Sequence, residues 1–256
     1  MNEHVNDTVT AAVLLIGDEL LSGRTKDKNL GYIAEYLTNM AIELREARLV
    51  SDDEGDIVEA LNALRARYDY VFTTGGIGPT HDDITADCVA KAFGVGIDHH
   101  PEAVKLLEER YAKTDWELNE ARMRMARIPD GATLVYNPVS TAPGFKIENV
   151  YVMAGVPQVM RAMMDNIAPT LRQGMPVLSR TVTAYIGEGD LAPGLASVQE
   201  EFPEVSMGSY PFQEDSKFGA KLVLRSKDES ALERAEAAVA GMVAELYAAP
   251  NVRTWK

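Results

Sequence analysis

The chain has 256 residues, of which 46% are hydrophobic and 25% are charged. This composition is typical of a folded globular protein and excludes a disordered chain or a collagen-like fibre. Its 39 acidic and 25 basic residues give a formal charge of −14, which repels polyphosphates and disfavours non-specific binding to nucleic acid.

The apolar run 9–16 is too short to cross a membrane, and no basic segment precedes it as in a signal peptide. Cys88 is the single cysteine, which leaves neither an internal disulfide nor a cysteine-based zinc site. We therefore expect a cytoplasmic protein without a membrane or nucleic-acid partner.

The pattern of apolar residues predicts alternating strands and helices over residues 9–172. Strands are predicted at 10–16, 43–50, 70–73, 133–136, 144–147 and 150–153, and helices at 30–40, 56–66, 86–93, 101–111 and 157–171. Alternation at this spacing indicates an α/β fold, a three-layer αβα arrangement around a mainly parallel sheet.

A second, smaller domain is predicted at 177–250. The stretch 173–176 contains glycine and proline and is typical of a linker. Beyond it the pattern indicates a strand at 180–186, a helix at 191–202, strands at 205–210 and 220–226, and a helix at 228–247. This order predicts a βαββα domain of the α+β class.

A glycine-rich segment, 73–85, follows one predicted strand and precedes a helix. Open α/β sheets bind ligands at this edge, where glycines let backbone amides approach phosphate oxygens and a helix N-terminus adds partial positive charge. The segment is therefore a candidate phosphate site. Its candidate phosphate contacts are Gly75, Gly76 and Gly78, with His81 as a further one, and the segment also contains Thr74, Pro79 and Thr85.

Two adjacent carboxylates, Asp82 and Asp83, belong to the same segment. They would repel a bare phosphate, so we favour a divalent cation that bridges them to the ligand. The alternative is that one of them only caps the helix that begins near residue 84.

Two further loops follow predicted strands and are expected at the same sheet edge. The first, 17–29, contains Gly17, Glu19, Asp27 and Asn29 together with Arg24, Lys26 and Lys28, although such basic residues are also common on plain solvated surfaces. The second contains Asp52 and Asp53, either of which alternatively caps the helix near residue 56. The remaining histidines lack metal-ligand spacing, and the methionines at 123, 125, 160, 163 and 164 are interpreted as core filling.

These segments resemble the signature of MoaB/Mog-type molybdopterin-binding domains over about residues 9–172. The similarity rests on the stretches 17–29 and 74–85 and on Asp52. Within this superfamily the chain more closely resembles competence/damage-inducible protein A and the N-terminal domain of eukaryotic FAD synthase. The stretches 137–145 and 155–157 add Pro143, Gly144, Gly155 and Pro157 as expected ligand contacts.

The resemblance implies metal-dependent hydrolysis of dinucleotide pyrophosphates such as ADP-ribose or FAD, with release of AMP. Asp83, Asp82 and Asp52 are then expected in catalysis, and Asp82, Asp83 and Glu19 as ligands of magnesium, manganese or cobalt, with potassium as a further cation. Because the sequence ends at Lys256, we do not carry over the deamidase activity of the competence protein or the nucleotidyl-transferase activity of FAD synthase.

Two features of this chain depart from the pattern of these relatives. Met125 stands where many relatives have glutamine. The region 177–250 resembles a KH-like domain without its Gly-x-x-Gly loop, and residues 176–256 contain eight basic and twelve acidic residues, so RNA clamping is not expected.

Two alternatives remain from the sequence. One is binding of molybdopterin, or adenylyl transfer to it, in molybdenum cofactor biosynthesis, and the other is a non-catalytic binding module. In each case the partner is a small nucleotide or pterin, with a homo-oligomer as a further possibility through edge strands.

Overall fold

The computed structural model describes residues 8–215 and 217–255. The chain divides into two compact units, Met1–Gly174 and Met175–Lys256. None of the helices in the described residues combines the length and the apolarity that crossing a membrane requires.

The first unit alternates strands and helices as the sequence predicts. Its strands are β1 (Val9–Ile16), β2 (Ile42–Val50), β3 (Tyr70–Thr74), β4 (Ile97–His99), β5 (Arg127–Pro129), β6 (Thr133–Val135), β7 (Gly144–Ile147) and β8 (Val150–Met153). Its α-helices are α1 (Asp18–Leu21), α2 (Leu30–Asn39), α3 (Glu54–Arg65), α4 (Thr85–Phe93), α5 (Pro101–Tyr111), α6 (Glu120–Met123) and α7 (Pro157–Ile167). Short 3-10 helices follow α6 and α7, at Arg124–Ala126 and Ala168–Thr170.

The central sheet has six strands in the order β2-β1-β3-β8-β7-β6. The first four strands in this order, β2, β1, β3 and β8, are parallel, whereas β7 is antiparallel to both of its neighbours. Only Glu148 and Asn149 separate β7 from β8, and so short a connection joins antiparallel strands, because a parallel crossover needs about a dozen residues. The mainly parallel α/β sheet predicted from the sequence is confirmed, with an antiparallel edge.

Helices cover both faces of this sheet, as the three-layer prediction requires. Alternate residues of β1 enter two different clusters, Ala12, Leu14 and Ile16 on one face and Ala11, Val13 and Leu15 on the other. The first cluster includes residues of α3, α4 and α5, and the second includes residues of α2 and α7. Met160, Met163 and Met164 of α7 are fully buried in the second cluster, which confirms their interpretation as core filling.

Several of the shortest elements were not predicted from the sequence. They are the four-residue helices α1 and α6 and the antiparallel pair β4-β5, with three residues in each strand. Elements of this length have less than two periods of either pattern, so periodicity is a weak signal for them, although the equally short β6 was predicted.

Cys88 lies in α4 and is fully buried in the first cluster. Burial raises the pKa of its thiol to about 12, so the reactive thiolate is scarce at neutral pH. We expect a thiol reagent at pH 8 to leave the native protein unmodified over an hour and to label one thiol completely in denaturant. Rapid labelling of the native protein would contradict this burial.

The second unit has the predicted βαββα order. It comprises β9 (Leu178–Ala184), α8 (Glu188–Glu201), β10 (Ser206–Glu214), β11 (Lys217–Ser226) and α9 (Glu229–Ala248). The strands form an antiparallel sheet in the order β10-β11-β9. Residues of both helices and of the sheet share one core. β10 and β11 extend further toward their connection than predicted. The sequence did not indicate the added residues, because they are mostly exposed and show no apolar alternation.

Candidate functional site

Four loops meet at one edge of the central sheet. They follow β1, β2, β3 and β8, whose carboxyl ends share that edge because these strands are parallel. Gly17 N donates to Val50 O at 3.2 Å, and Gly75 N donates to Met153 O at 3.2 Å. The polar segments singled out in the sequence are therefore neighbours, as expected at the carboxyl edge of an open α/β sheet.

The glycine-rich loop after β3 has a conformation that requires glycine. Gly75 and Gly76 have φ angles of 107° and 66°, where residues with a side chain are disfavoured. A Cβ atom would overlap the Ile16 carbonyl oxygen at Gly75 and the Thr85 hydroxyl at Gly76. Thr85 is buried and donates from Oγ1 to Gly75 O at 3.0 Å. Thr85 thus supports the loop and is not among the residues that line the adjacent cavity.

The loops surround an open cavity of about 470 Å³, within the range of roughly 300–1,000 Å³ that is typical of small-molecule sites. Many of the sequence-predicted residues line this main cavity: Gly17, Glu19, Asp52, Gly75, Gly76, Gly78, Pro79, Asp82, Asp83 and Gly155. Apolar surface comes from Ile16, Ile77, Val156 and Val159. A cavity with glycine loops, carboxylates and apolar walls suits a small ligand that carries both charged and apolar groups.

Asp52 is held at the cavity wall by the loop after β1. Its Oδ2 accepts from Asp18 N at 2.9 Å, and its own amide donates to Asp18 Oδ1 at 3.4 Å. Burial raises the pKa of the Asp52 carboxyl, and the negative charges of Asp18, Glu19 and Asp82 raise it further, against the lowering effect of the Asp18 amide. A carboxylate with a raised pKa is a better proton acceptor, which suits a general base.

Asp53, the next residue, has a structural role instead. It is the N-cap of α3, and its side chain accepts from Gly55 N at 2.8 Å and from Asp56 N at 3.2 Å. Of the two neighbouring aspartates, Asp53 caps the helix and Asp52 lines the cavity.

Loss of this cap is expected to be measurable. Asp53→Ala should lower the free energy of unfolding by about 1 kcal/mol, the usual cost of removing an N-cap acceptor. Asp53→Asn keeps a capping oxygen and should stay near the wild type. Urea denaturation measures both, and equal losses in the two variants would contradict the capping role.

Asp82 and Asp83 have different surroundings. Asp83 Oδ2 accepts from Thr80 N at 2.8 Å and also from the Thr80 hydroxyl, which closes the turn between them. Asp82 is exposed beside the exposed ring of His81, which does not line the main cavity. The alternative that one aspartate caps the following helix is wrong, because the N-cap of α4 is Ile84, an apolar residue without a capping acceptor.

The predicted metal ligands Glu19, Asp82 and Asp83 all line the main cavity. In the part of the chain that the structure describes, however, no group of three or more His, Cys, Asp or Glu residues is arranged to hold a metal ion. Magnesium in phosphate sites is usually held by one or two carboxylates together with substrate phosphates and water, not by a cage of protein atoms. The carboxylates therefore fit a cation that binds together with a phosphorylated ligand.

A smaller chamber of about 190 Å³ shares Ile16, Glu19 and Gly155 with the main cavity. The predicted residues Asp27, Asn29, Thr74 and Pro157 line this side chamber. Asp27 accepts from Asn29 N at 3.1 Å and from Leu30 N at 3.0 Å, so it stabilises the start of α2. Asn29 Nδ2 donates to Gly155 O at 2.8 Å and connects the loops after β1 and β8.

Pro143 and Gly144 are not brought to either space. Pro143 lines a 20 Å³ space behind the glycine loop, together with Gly76, Gly78 and Asp83. Gly144 begins β7, where a Cβ atom would overlap the Val152 carbonyl oxygen. Both positions therefore shape the surroundings of the loop.

Sequence reasoning did not identify Arg124. Its Nη2 donates to Asp83 O at 3.3 Å, and its buried Nε has no hydrogen-bond partner among the described residues. The only signal was a cluster of arginines at 122, 124 and 127, and Arg127 instead pairs with Asp87. Met125 packs against the core and also lines the main cavity, so core filling describes this methionine only in part.

Comparison with known proteins agrees with this architecture. A protein of Pyrobaculum calidifontis is 37% identical over 211 residues, covering 79% of this chain and 80% of that one. A protein of Aeropyrum pernix is 35% identical over 232 residues, covering 87% and 84%. The crystal structure of CinA from Thermoplasma acidophilum, a protein described as of unknown function, matches with a TM-score of 0.60 and 31% identity, over 64% of this chain and 99% of that one.

Two protein families match consecutive parts of the chain. Residues 176–252 match the family described as "FAD synthase, middle domain". Residues 12–173, which include every loop of the site, match the family described as "Probable molybdopterin binding domain". The chain belongs to this molybdopterin-binding domain family.

Proposed function

We propose that this protein hydrolyses a dinucleotide pyrophosphate of the ADP-ribose or FAD type and releases AMP. The observation that carries the proposal is the juxtaposition, in one 470 Å³ cavity, of a glycine loop suited to phosphate with the carboxylates Glu19, Asp52, Asp82 and Asp83. A site for simple anion binding gains nothing from four acidic residues, because they repel the ligand.

A divalent cation would offset the repulsion between these carboxylates and the phosphates of the ligand. Glu19 and Asp82 are the residues that would hold it, with the ligand's phosphate oxygens completing its shell. When bound, such a cation neutralises the pyrophosphate and lowers the pKa of an attacking water.

The protein's own groups divide the remaining tasks. The backbone of Gly75, Gly76 and Gly78 binds the phosphates, near the N-terminus of α4. Asp83 fixes the turn that presents Asp82, through its bonds to Thr80. Asp52, whose pKa is raised by burial, accepts the proton of the attacking water.

The relationship to FAD synthase supports a nucleotide ligand. Residues 176–252 match the middle domain of that enzyme, whose product, FAD, is itself a dinucleotide pyrophosphate.

The test is to incubate the purified protein with ADP-ribose, FAD or NADH, with magnesium, manganese or cobalt, and with or without potassium. We expect stoichiometric AMP by chromatography, abolished by a chelator. Intact substrates under every metal tried, with a protein shown to be folded, would refute hydrolysis.

One observation favours a second function, binding of molybdopterin or adenylyl transfer to it. The family that matches residues 12–173 is described as molybdopterin-binding, and the same cavity holds both phosphate-binding and apolar groups. Complementation of a molybdenum-cofactor mutant tests it. Growth rescue together with no AMP release in the assay above would favour this function over hydrolysis.

A further inference from the structure

The main cavity has no positively charged side chain in its own wall. Four carboxylates line it, and none of the lysines or arginines in the described residues belongs to that lining. The backbone amides of the glycine loop supply only partial charges. A ligand with two phosphates therefore gains from a full positive charge close to this wall.

Arg124 places such a charge behind the glycine loop. It lines the 20 Å³ space there, which shares Gly76 and Gly78 with the main cavity. Arg127 lines the same space, but its guanidinium is engaged by the Asp87 carboxylate in hydrogen bonds of 2.7 and 2.6 Å. Arg124 pairs with no carboxylate in the described part of the chain, so its charge remains available to attract an anion.

Asp83 also lines this space, and its negative charge opposes that of Arg124. Its carboxylate is turned to Thr80, whose amide donates to Oδ2 at 2.8 Å and whose hydroxyl donates to the same oxygen. Arg124 contacts the main chain instead, since Nη2 donates to Asp83 O at 3.3 Å. Within the described residues, no other side chain from outside 75–85 hydrogen-bonds to the backbone of that segment. Arg124 thus anchors the turn from which Asp82 reaches the main cavity.

The guanidinium of Arg124 is more than an anchor needs. Its Nε is buried, and none of the described residues accepts a hydrogen bond from it. An unsatisfied buried donor on a charged group costs stability. A neutral donor such as a glutamine amide would contact a carbonyl oxygen without burying a charge. The cost therefore indicates that the charge itself has a role at this position.

We propose that Arg124 is a positioning residue of the phosphate site. It anchors the turn that carries Asp82, and its charge draws the phosphates of the ligand toward the glycine-loop amides without touching the ligand. This inference rests on the proposed function. Removal of the charge should weaken the binding of phosphorylated ligands more than it slows the chemical step, because Asp52 and the turn closed by Asp83 are kept.

Two variants separate the charge from the side chain. Arg124→Gln removes the charge, and Arg124→Lys keeps it. With magnesium and ADP-ribose, we expect Arg124→Gln to raise KM for AMP release about tenfold, the usual effect of losing one charge-assisted interaction, and to leave kcat nearly unchanged. Arg124→Lys should stay close to the wild type. The matched control is Arg110→Gln, which removes an exposed arginine of α5 that lines neither space.

A second pair of measurements does not depend on turnover. Calorimetric titration with AMP in the presence of magnesium should show about tenfold weaker binding in Arg124→Gln and near wild-type binding in Arg124→Lys. In urea, the unfolding midpoint of Arg124→Gln should equal or exceed that of the wild type, because the unsatisfied Nε is removed. A purely structural anchor would instead give a lower midpoint, with kcat reduced in both variants, and that result would overturn the inference.

The remaining outcomes separate this role from the proposed function. Weaker AMP binding in Arg124→Gln, in a protein that releases no AMP from any substrate, would refute hydrolysis and keep the role of Arg124. AMP release with the same KM in Arg124→Gln as in the wild type would refute the role and keep hydrolysis. Equal losses in the glutamine and lysine variants would also overturn the role. If Arg124→Gln does not fold, Arg124→Lys decides, because a KM raised about tenfold there would contradict a role for the charge.

Discussion

Asp52→Asn is expected to slow AMP release from ADP-ribose by about 100-fold or more, since a positioned general base contributes roughly 10² to 10⁴ in rate. The carboxylate lines the main cavity with Glu19 and Asp82. Asparagine keeps an oxygen that accepts from Asp18 N, the bond that holds the side chain in place. The variant should therefore fold as the wild type does, and kcat and KM with magnesium measure the loss.

The same variant should be more stable than the wild type at neutral pH. Because the folded-state pKa of Asp52 is raised, mainly by burial, its ionisation opposes folding at every pH above that pKa. This penalty disappears as the pH falls through the folded pKa toward the unfolded value of about 3.9. The gain in melting temperature for Asp52→Asn should thus be largest near pH 7 and shrink toward pH 4.

Asp53→Asn is the matched control for Asp52→Asn. It removes the neighbouring negative charge but keeps the cap acceptor of α3. We expect wild-type activity and stability. If both variants lost activity equally, the loss of one negative charge from this segment would explain the effect, and the assigned role of Asp52 would be wrong.

Gly76→Ala is expected to destabilise the protein by on the order of 3 kcal/mol, which combines left-handed backbone strain with steric overlap. The φ angle is 66°, and the added Cβ would overlap the Thr85 hydroxyl and lie 3.1 Å from Thr85 Cβ. Thr85, whose hydroxyl supports the loop, is fully buried, so it has little room to move. Denaturation in urea measures the loss.

Gly94→Ala separates the two causes. Gly94 ends α4 with a φ angle of 67°, almost identical to that of Gly76, but a Cβ there meets no atom within 4 Å. It should cost only the strain, about 1 kcal/mol. A Gly76→Ala loss no larger than that of Gly94→Ala would mean that overlap with Thr85 is not limiting.

The sequence was sufficient to predict that these loops meet at one edge of the sheet. Apolar periodicity placed strands before the segments 17–29, 51–53 and 75–85, and parallel strands bring their carboxyl ends to one edge. The predicted residues Gly17, Glu19, Asp52 and Gly75 consequently line one cavity. Periodicity sufficed here because these strands are long enough to show it, unlike β4 and β5.

The roles of neighbouring carboxylates were not predictable. Sequence left either Asp52 or Asp53 as the cap of α3, and the backbone direction at residue 53 decided the matter. It also left Asp82 or Asp83 as a cap for α4, whereas Asp83 bonds to Thr80 and neither caps the helix. Two adjacent aspartates take different roles because the local turn of the backbone points their side chains in different directions. The sequence does not specify that direction.

The sequence by itself determined the fold class, the order of the longer elements in both domains, and the loops that form the site, because these follow from local periodicity and from clusters of glycine. Only the tertiary structure decided which side chains face the cavity, that Arg124 contacts the loop, and that Asn29 keeps a buried oxygen to which none of the described residues donates. Those features depend on contacts between segments far apart in the chain, such as Asn29 with Gly155, and no local pattern encodes them.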